Sequence, residues 1–185
     1  MKKVLLTIAS LVAVAMCANA QVWAWGPKVG ATFSTANGVT DAKARAGVVA
    51  GMFAESAVND WLVMEADLLF SQQGYDLDTS PKDRFRADYL TMPIVGKYYL
   101  LDGLNFQMGA QFGYLLGVKE KVGDTKRQVR DEFNKYSISF IAGLAYDFDF
   151  GMIIEGRSHY GLTPMVTSNS NSRGGHLQVM LGWRF

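Results

Sequence analysis

The sequence predicts an all-β fold, an eight-stranded antiparallel up-and-down transmembrane β-barrel. Three observations lead there. From Gln21 onward apolar residues recur with period two, and no long stretch keeps a 3.6-residue period. The segments between the alternating runs are long and short by turns. The polar face of the runs is sparsely charged, mixed in sign and rich in glycine, which suits the packed inside of a narrow barrel better than a surface in water.

The chain begins with a segment outside this pattern. "MKK" is a positive start, "VLLTIASLVAVAMC" an apolar core and "ANA" a small-residue cleavage site. Residues 1–20 therefore read as a cleaved signal peptide and residues 21–185 as the barrel domain. The competing readings are a hydrophobic first helix and a lipoprotein with Cys17 lipidated, for which Met16 is bulkier than a lipobox usually allows. Cys17 is the single cysteine, so a chain starting at Gln21 has neither disulfide nor thiol chemistry. A net charge of +1 gives no electrostatic basis for binding nucleic acid. Hydrophobic residues make up 49% of the chain and charged ones 19%, yet no internal run reaches the roughly 18 apolar residues of a spanning helix.

Eight strands are expected, at about 26–34, 45–56, 61–75, 85–100, 103–118, 134–149, 151–163 and 175–185. The first opens on "GPKVGATFS". The second contains "AGVVAGMFAE", which is apolar on both faces. In the third, Leu62, Met64, Ala66, Leu68 and Phe70 oppose Glu65, Asp67, Ser71 and Gln73. The fourth ends on "VGKYY" and puts Lys97 on its polar face. In the fifth, Leu104, Phe106, Met108, Phe112 and Tyr114 alternate with Asn105, Gln107, Gly109, Gln111 and Gly113. The sixth, "YSISFIAGLAYDF", is the clearest: Tyr136, Ile138, Phe140, Ala142, Leu144, Tyr146 and Phe148 point one way, and Ser137, Ser139, Ile141, Gly143, Ala145 and Asp147 the other. In the seventh, Met152, Ile154 and Tyr160 oppose Glu155, Arg157 and His159. The eighth runs to the last residue, with Leu177, Val179, Leu181, Trp183 and Phe185 facing away from His176, Gln178, Met180, Gly182 and Arg184.

Three connections are very short, "VND" (58–60), "LDG" (101–103) and "DFG" (149–151). Four are long and polar, at 35–44, 76–84, 120–132 and 164–174. Barrels in bacterial outer membranes have this asymmetry, with tight periplasmic turns and long outer loops. A soluble lipocalin-like barrel shares the strand pattern with its faces inverted. The apolar face decides for the membrane: it is nearly free of charge over whole strands, and the aromatic residues Trp61, Tyr75, Tyr89, Tyr98, Tyr99, Tyr136, Trp183 and Phe185 stand near strand ends, as interfacial girdles do. The expected location is the bacterial outer membrane, with both termini in the periplasm.

The terminal alternation closing on Phe185 resembles the insertion signal read by the β-barrel assembly machinery. That resemblance implies Trp183 and Phe185 as its contacts. "LLFSQQGYD" followed by "ADYLTMPIVGKYYLLDGLNFQMGAQFGYLLG" resembles the PorT-type outer-membrane β-barrel family, small porin-family barrels of Gram-negative bacteria. The run Tyr89-Leu90…Pro93…Lys97-Tyr98-Tyr99 is its most specific part, and the likeness covers essentially the whole chain after Gln21. The family supplies no catalytic residues to carry over.

The chemistry-bearing residues give no enzyme. Ser158 and His159 are adjacent on a strand and so point to opposite faces. Asp76, Asp78 and Asp83 lack a recognised calcium-loop spacing, and Lys82 and Arg84 sit among them. "KEKVGDTKRQVRDE" is a mixed-charge run suited to a solvated face or to lipopolysaccharide phosphates. Lys28, Glu55, Glu65, Asp67, Lys97, Glu155, Arg157 and Arg184 all fall on the polar face. Buried charges need partners. Glu65, Asp67, Lys97, Glu155, Arg157, His159 and Arg184 are therefore expected to form a polar and ion-pair network that plugs the lumen. No catalytic residue, cofactor or metal site is expected. The expected partners are outer-membrane lipid and lipopolysaccharide, the assembly machinery during insertion and an unidentified extracellular partner, with the protein itself a monomer. The rival readings are a lipid-modifying barrel enzyme and a soluble periplasmic ligand-binding barrel.

Overall fold

Every alternating run forms a strand. The computed structural model describes residues 23–36, 42–77, 84–122, 125–127, 134–163 and 174–185. The expected signal peptide, Asp78 and Asp83 lie outside the described residues, as does most of each long connection. The strands are β1 (Trp23–Ala36), β2 (Ala42–Asn59), β3 (Leu62–Leu77), β4 (Arg84–Tyr99), β5 (Leu104–Val122), β6 (Thr125–Arg127), β7 (Tyr136–Asp147), β8 (Met152–Gly161) and β9 (Gly174–Trp183). Consecutive long strands pair antiparallel from β1 to β5, then β5 with β7, β7 with β8 and β8 with β9. β9 returns to β1, from Lys28↔Gly182 to Ala36↔Gly174, and closes an eight-stranded barrel. Closure satisfies backbone groups that an open edge would expose to lipid at several kcal/mol each. Among the described residues the three-residue β6 pairs only with the end of β5.

The strands outrun the apolar pattern. β5 continues to Val122 and turns back into β6, within a stretch whose mixed charge reads as a loop. Hydrophobic alternation records contact with lipid. Backbone pairing continues past the lipid into water, where polar residues are tolerated, so the pattern stops before the strand does.

The short turns are built from local chemistry. The backbone N–H groups of Trp61 and Leu62 donate to Asn59 Oδ1 at 3.1 and 2.8 Å. Gly103 and Gly151 have φ of +79° and +99°, values that side-chain-bearing residues rarely adopt. At the seam a Cβ on Gly26 would lie 1.6 Å from the Trp183 carbonyl oxygen, so only glycine lets β9 approach there.

The apolar face is outward. Val29, Leu68, Leu144 and Leu181 are 51–56% exposed, whereas Lys97 and Arg157 are fully buried. A soluble cup with an apolar lumen is the reverse of this. Aromatic contacts gather at the short-turn end: Trp25 with Phe185 (5.3 Å between ring centroids), Trp61 with Tyr98 (5.9 Å), and a chain from Tyr146 through Phe148 and Phe150 to Trp183. Tyr89 and Tyr99 depart from the girdle expected of them. Tyr89 is buried among Ala87, Leu115 and Val118, and Tyr99 is half-buried with its hydroxyl directed to a lumen carboxylate.

Candidate functional site: the lumen

The period-two alternation of eight strands delivers charged side chains into one narrow space. Arg157 on β8 is the hub. Its Nη1 donates to Asp67 and its Nη2 to Glu65, both on β3. Nη2 also reaches Glu155 Oε2 at 2.8 Å, and Nε donates to Gln107 Oε1 at 2.6 Å. Lys28 on β1, midway between β8 and β3 around the barrel, places Nζ 2.6 Å from Glu65 Oε1, 3.0 Å from Glu155 Oε1 and 3.4 Å from Asp67 Oδ1. It also sits 4.6 Å from the Phe53 ring centroid. Glycines make room for these long side chains. A Cβ on Gly143 would come within 3.1 Å of Arg157 Cγ, and one on Gly182 within 3.2 Å of Lys28 Cγ.

A second tier lies toward the short turns. Lys97 Nζ stands 2.7 Å from Asp147 Oδ2 and 2.9 Å from Glu55 Oε2. It is 3.6 Å from Glu65 Oε2, which joins the tiers. Tyr99 Oη donates to Asp147 Oδ2 at 2.7 Å and Asn105 Nδ2 to Asp147 Oδ1 at 3.1 Å. Arg184, its side chain 29% exposed, closes this end on Glu55 and Asp147 at 3.3 and 3.4 Å. The structure thus brings Glu65, Asp67, Lys97, Glu155, Arg157 and Arg184 into one connected cluster, together with Lys28 and Glu55. Asp147, Tyr99, Asn105 and Gln107 complete it and are absent from the expected network. The parity rule carries the signal for all four: Tyr99 is two residues beyond Lys97, and the other three fall on the polar face.

His159 is in the lumen but outside the ion pairs. Its ring stacks on that of His176, centroids 4.2 Å apart and planes 11° apart. The two residues are register partners on β8 and β9. Beyond them, toward the long connections, the described lumen is uncharged, with Gln111 and Ser139 buried there; Ser34 is level with His176, and Thr32 and Gln178 are buried on the short-turn side. Ser34 Oγ donates to the Gly74 carbonyl at 2.8 Å and accepts from its N–H at 2.9 Å.

Ser158 lies on the opposite face of β8 from buried His159, so the pair forms no dyad. Among the described residues no three His, Cys, Asp or Glu side chains are grouped to hold a metal ion. Trp183 and Phe185 are 43% and 66% exposed at the outer surface of the seam, where the Phe185 N–H donates to the Trp25 carbonyl at 2.9 Å.

No curated protein sequence matches this chain. Among solved structures it is similar to Neisserial surface protein A (NspA), at 13% identity and a TM-score of 0.64, over 88% of this chain and 99% of that one. It is also similar to Ail, the attachment invasion locus protein of Yersinia pestis, at 15% identity and a TM-score of 0.54, over 88% and 98% of the two chains. At these identities the likeness is one of fold. The family model described as "Outer membrane protein beta-barrel domain" matches residues 19–167. A closed barrel with an apolar outside, a charged inside and this match together place the protein in the outer membrane, and the chain belongs to the outer membrane protein β-barrel domain family.

Proposed function

We propose that this protein is a non-enzymatic, monomeric outer-membrane barrel whose lumen is plugged by its own ion pairs and whose working surface is the set of four long connections. The observation that carries this is the burial of Lys28, Lys97 and Arg157, each held by several carboxylates, across the middle of the barrel. Diffusion pores use roughly twice as many strands, whereas an eight-stranded interior is just wide enough for side chains to fill it. In this reading residues 1–20 are removed on export, and both termini and the short turns face the periplasm. The long connections then meet lipopolysaccharide and an extracellular partner. Trp183 and Phe185 are the contacts of the assembly machinery. Membership of the PorT-type branch rests on the Tyr89-Leu90…Pro93…Lys97-Tyr98-Tyr99 run.

Swelling of proteoliposomes in isotonic L-arabinose tests the plug. Vesicles bearing the protein swell no faster than empty ones. Swelling at the rate of a 16-stranded diffusion porin overturns the reading.

A further inference from the structure

The apolar surface does not stop where the strands do. Leu101 is 70% exposed, Leu100 62%, Phe150 59% and Trp61 56%, and all four lie in or beside the short turns, where segments reaching into water are usually polar. They continue the lipid-facing band. Ring contacts run from Tyr146 on β7 through Phe148 and Phe150 to Trp183, and Trp61 stacks on Tyr98. This collar therefore lies in the interfacial layer of the same bilayer that surrounds the band. Each short turn also carries one exposed acid: Asp60 beside Trp61, Asp102 after Leu101, and Asp149 between Phe148 and Phe150. None of the turns 58–61, 100–103 and 148–151 contains a lysine or arginine. Arg184, at the same end, is engaged by Glu55 and Asp147.

Apolar collar and acids together select the partner. The turns join β2 to β3, β4 to β5 and β7 to β8, so neighbouring acids stand two strands, or roughly 10 Å, apart along the rim. Carboxylates that far apart do not share one metal ion, and each meets a different lipid. A carboxylate held at headgroup depth by apolar neighbours faces lipid phosphates of its own sign, so it needs a headgroup that brings a cation. Phosphatidylglycerol brings none, and the quaternary nitrogen of phosphatidylcholine has no N–H. The ammonium of phosphatidylethanolamine has three N–H donors, and its bond to a carboxylate is of the strong, charge-assisted kind. We infer that the short-turn end is a docking collar for aminophospholipid. Leu100, Leu101, Trp61 and Phe150 enter the interface, and Asp60, Asp102 and Asp149 each bind the ammonium of a phosphatidylethanolamine headgroup. The inference rests on the reading that this end lies at the periplasmic leaflet, the phospholipid side of an outer membrane.

All four tryptophans of the chain, Trp23, Trp25, Trp61 and Trp183, are exposed at this end, so their fluorescence reads the collar alone. The protein purified from outer membranes is reconstituted into vesicles of equal parts phosphatidylethanolamine and phosphatidylcholine with identical acyl chains. In one set the ethanolamine lipid is brominated near the headgroup end of its chains, in the other the choline lipid. Bromine quenches tryptophan only at close range. Quenching is stronger in the first set and corresponds to about threefold tighter association of the ethanolamine lipid, within the range of exposed ion pairs. The triple variant Asp60→Asn/Asp102→Asn/Asp149→Asn is quenched equally in both sets, while Lys135→Gln, exposed at the other end of the barrel, keeps the preference. Salt at about 1 M weakens the preference of the unmodified protein, a measurement that needs no variant to fold. Equal quenching of the unmodified protein by the two lipids overturns the inference and leaves the membrane reading standing. A preference that survives in the folded triple variant, or is unchanged at high salt, also overturns it. No quenching by either lipid takes this end out of the bilayer and overturns both.

Discussion

Arg157 shows at the scale of one residue why a charge belongs inside this barrel. Its planar guanidinium meets Asp67, Glu65, Glu155 and Gln107 at once. An ammonium has no fork of this shape, so Arg157→Lys is not a conservative change. Replacing Arg157 with Met strands carboxylates in a desolvated lumen, leaving Lys28 near all three and Lys97 near Glu65 alone. Breaking a buried pair in this way costs about 3–5 kcal/mol. Arg184→Ala removes a partly exposed partner at the barrel mouth and costs about 1 kcal/mol or less, as exposed pairs do. Urea unfolding in lipid vesicles, followed by the shift in gel mobility between unheated and boiled samples, separates the two. Equal midpoints for both variants would refute the plug as a stability element. The expected network was legible as a face and incomplete as a membership. Asp147 stands next to aromatic residues at a turn, and Tyr99 beside Tyr98 reads as a second girdle residue until strict alternation assigns it inward.

At the scale of elements, the turn between β7 and β8 ties down the end of β9. The Gly151 carbonyl accepts from the Arg184 N–H at 2.8 Å, while the Gly151 N–H donates to the Phe148 carbonyl at 2.9 Å. Its φ of +99°, and the 2.8 Å between an added Cβ and the Arg184 oxygen, leave no room for a side chain. Gly151→Ala therefore lowers stability by about 1–2 kcal/mol, read as a lower urea midpoint in the same vesicles. Phe185 distinguishes folding from delivery. It adds one seam hydrogen bond and one aromatic contact, a small share of the barrel. Deleting it is expected to deplete the protein from the outer membrane in cells while leaving refolding of the purified chain into detergent nearly unchanged. If both fall together, Phe185 is a structural residue and no assembly signal. Strand existence was readable because half-buried strands alternate, whereas strand ends were not, because β5 leaves the lipid before it stops pairing. The same limit hides β6, which carries no apolar period of its own.

At the scale of the molecule, the sequence shows two faces and leaves open which one is inside. Sparse, mixed charge and abundant glycine mark the inner face for a physical reason: Gly143 and Gly182 are the spaces into which Arg157 and Lys28 extend. The outer face then has to match a bilayer. On β9, Val179 sits between Leu177 and Leu181, all 46–51% exposed, with Trp183 marking the short-turn edge of the apolar band. An arginine at the middle of such a band costs roughly 2–4 kcal/mol in lipid, falling to about 0–1 near the interface. Val179→Arg is therefore expected to lose most of that amount in vesicles, and Tyr146→Arg, beside the aromatic chain at the barrel end, much less. In a detergent micelle, where the headgroup can reach water more easily, the gap between the two narrows. A flat profile in lipid, with Val179→Arg no worse than Tyr146→Arg, would mean that this face does not span the bilayer. The ion pairs inside would then have to be explained without a membrane around them.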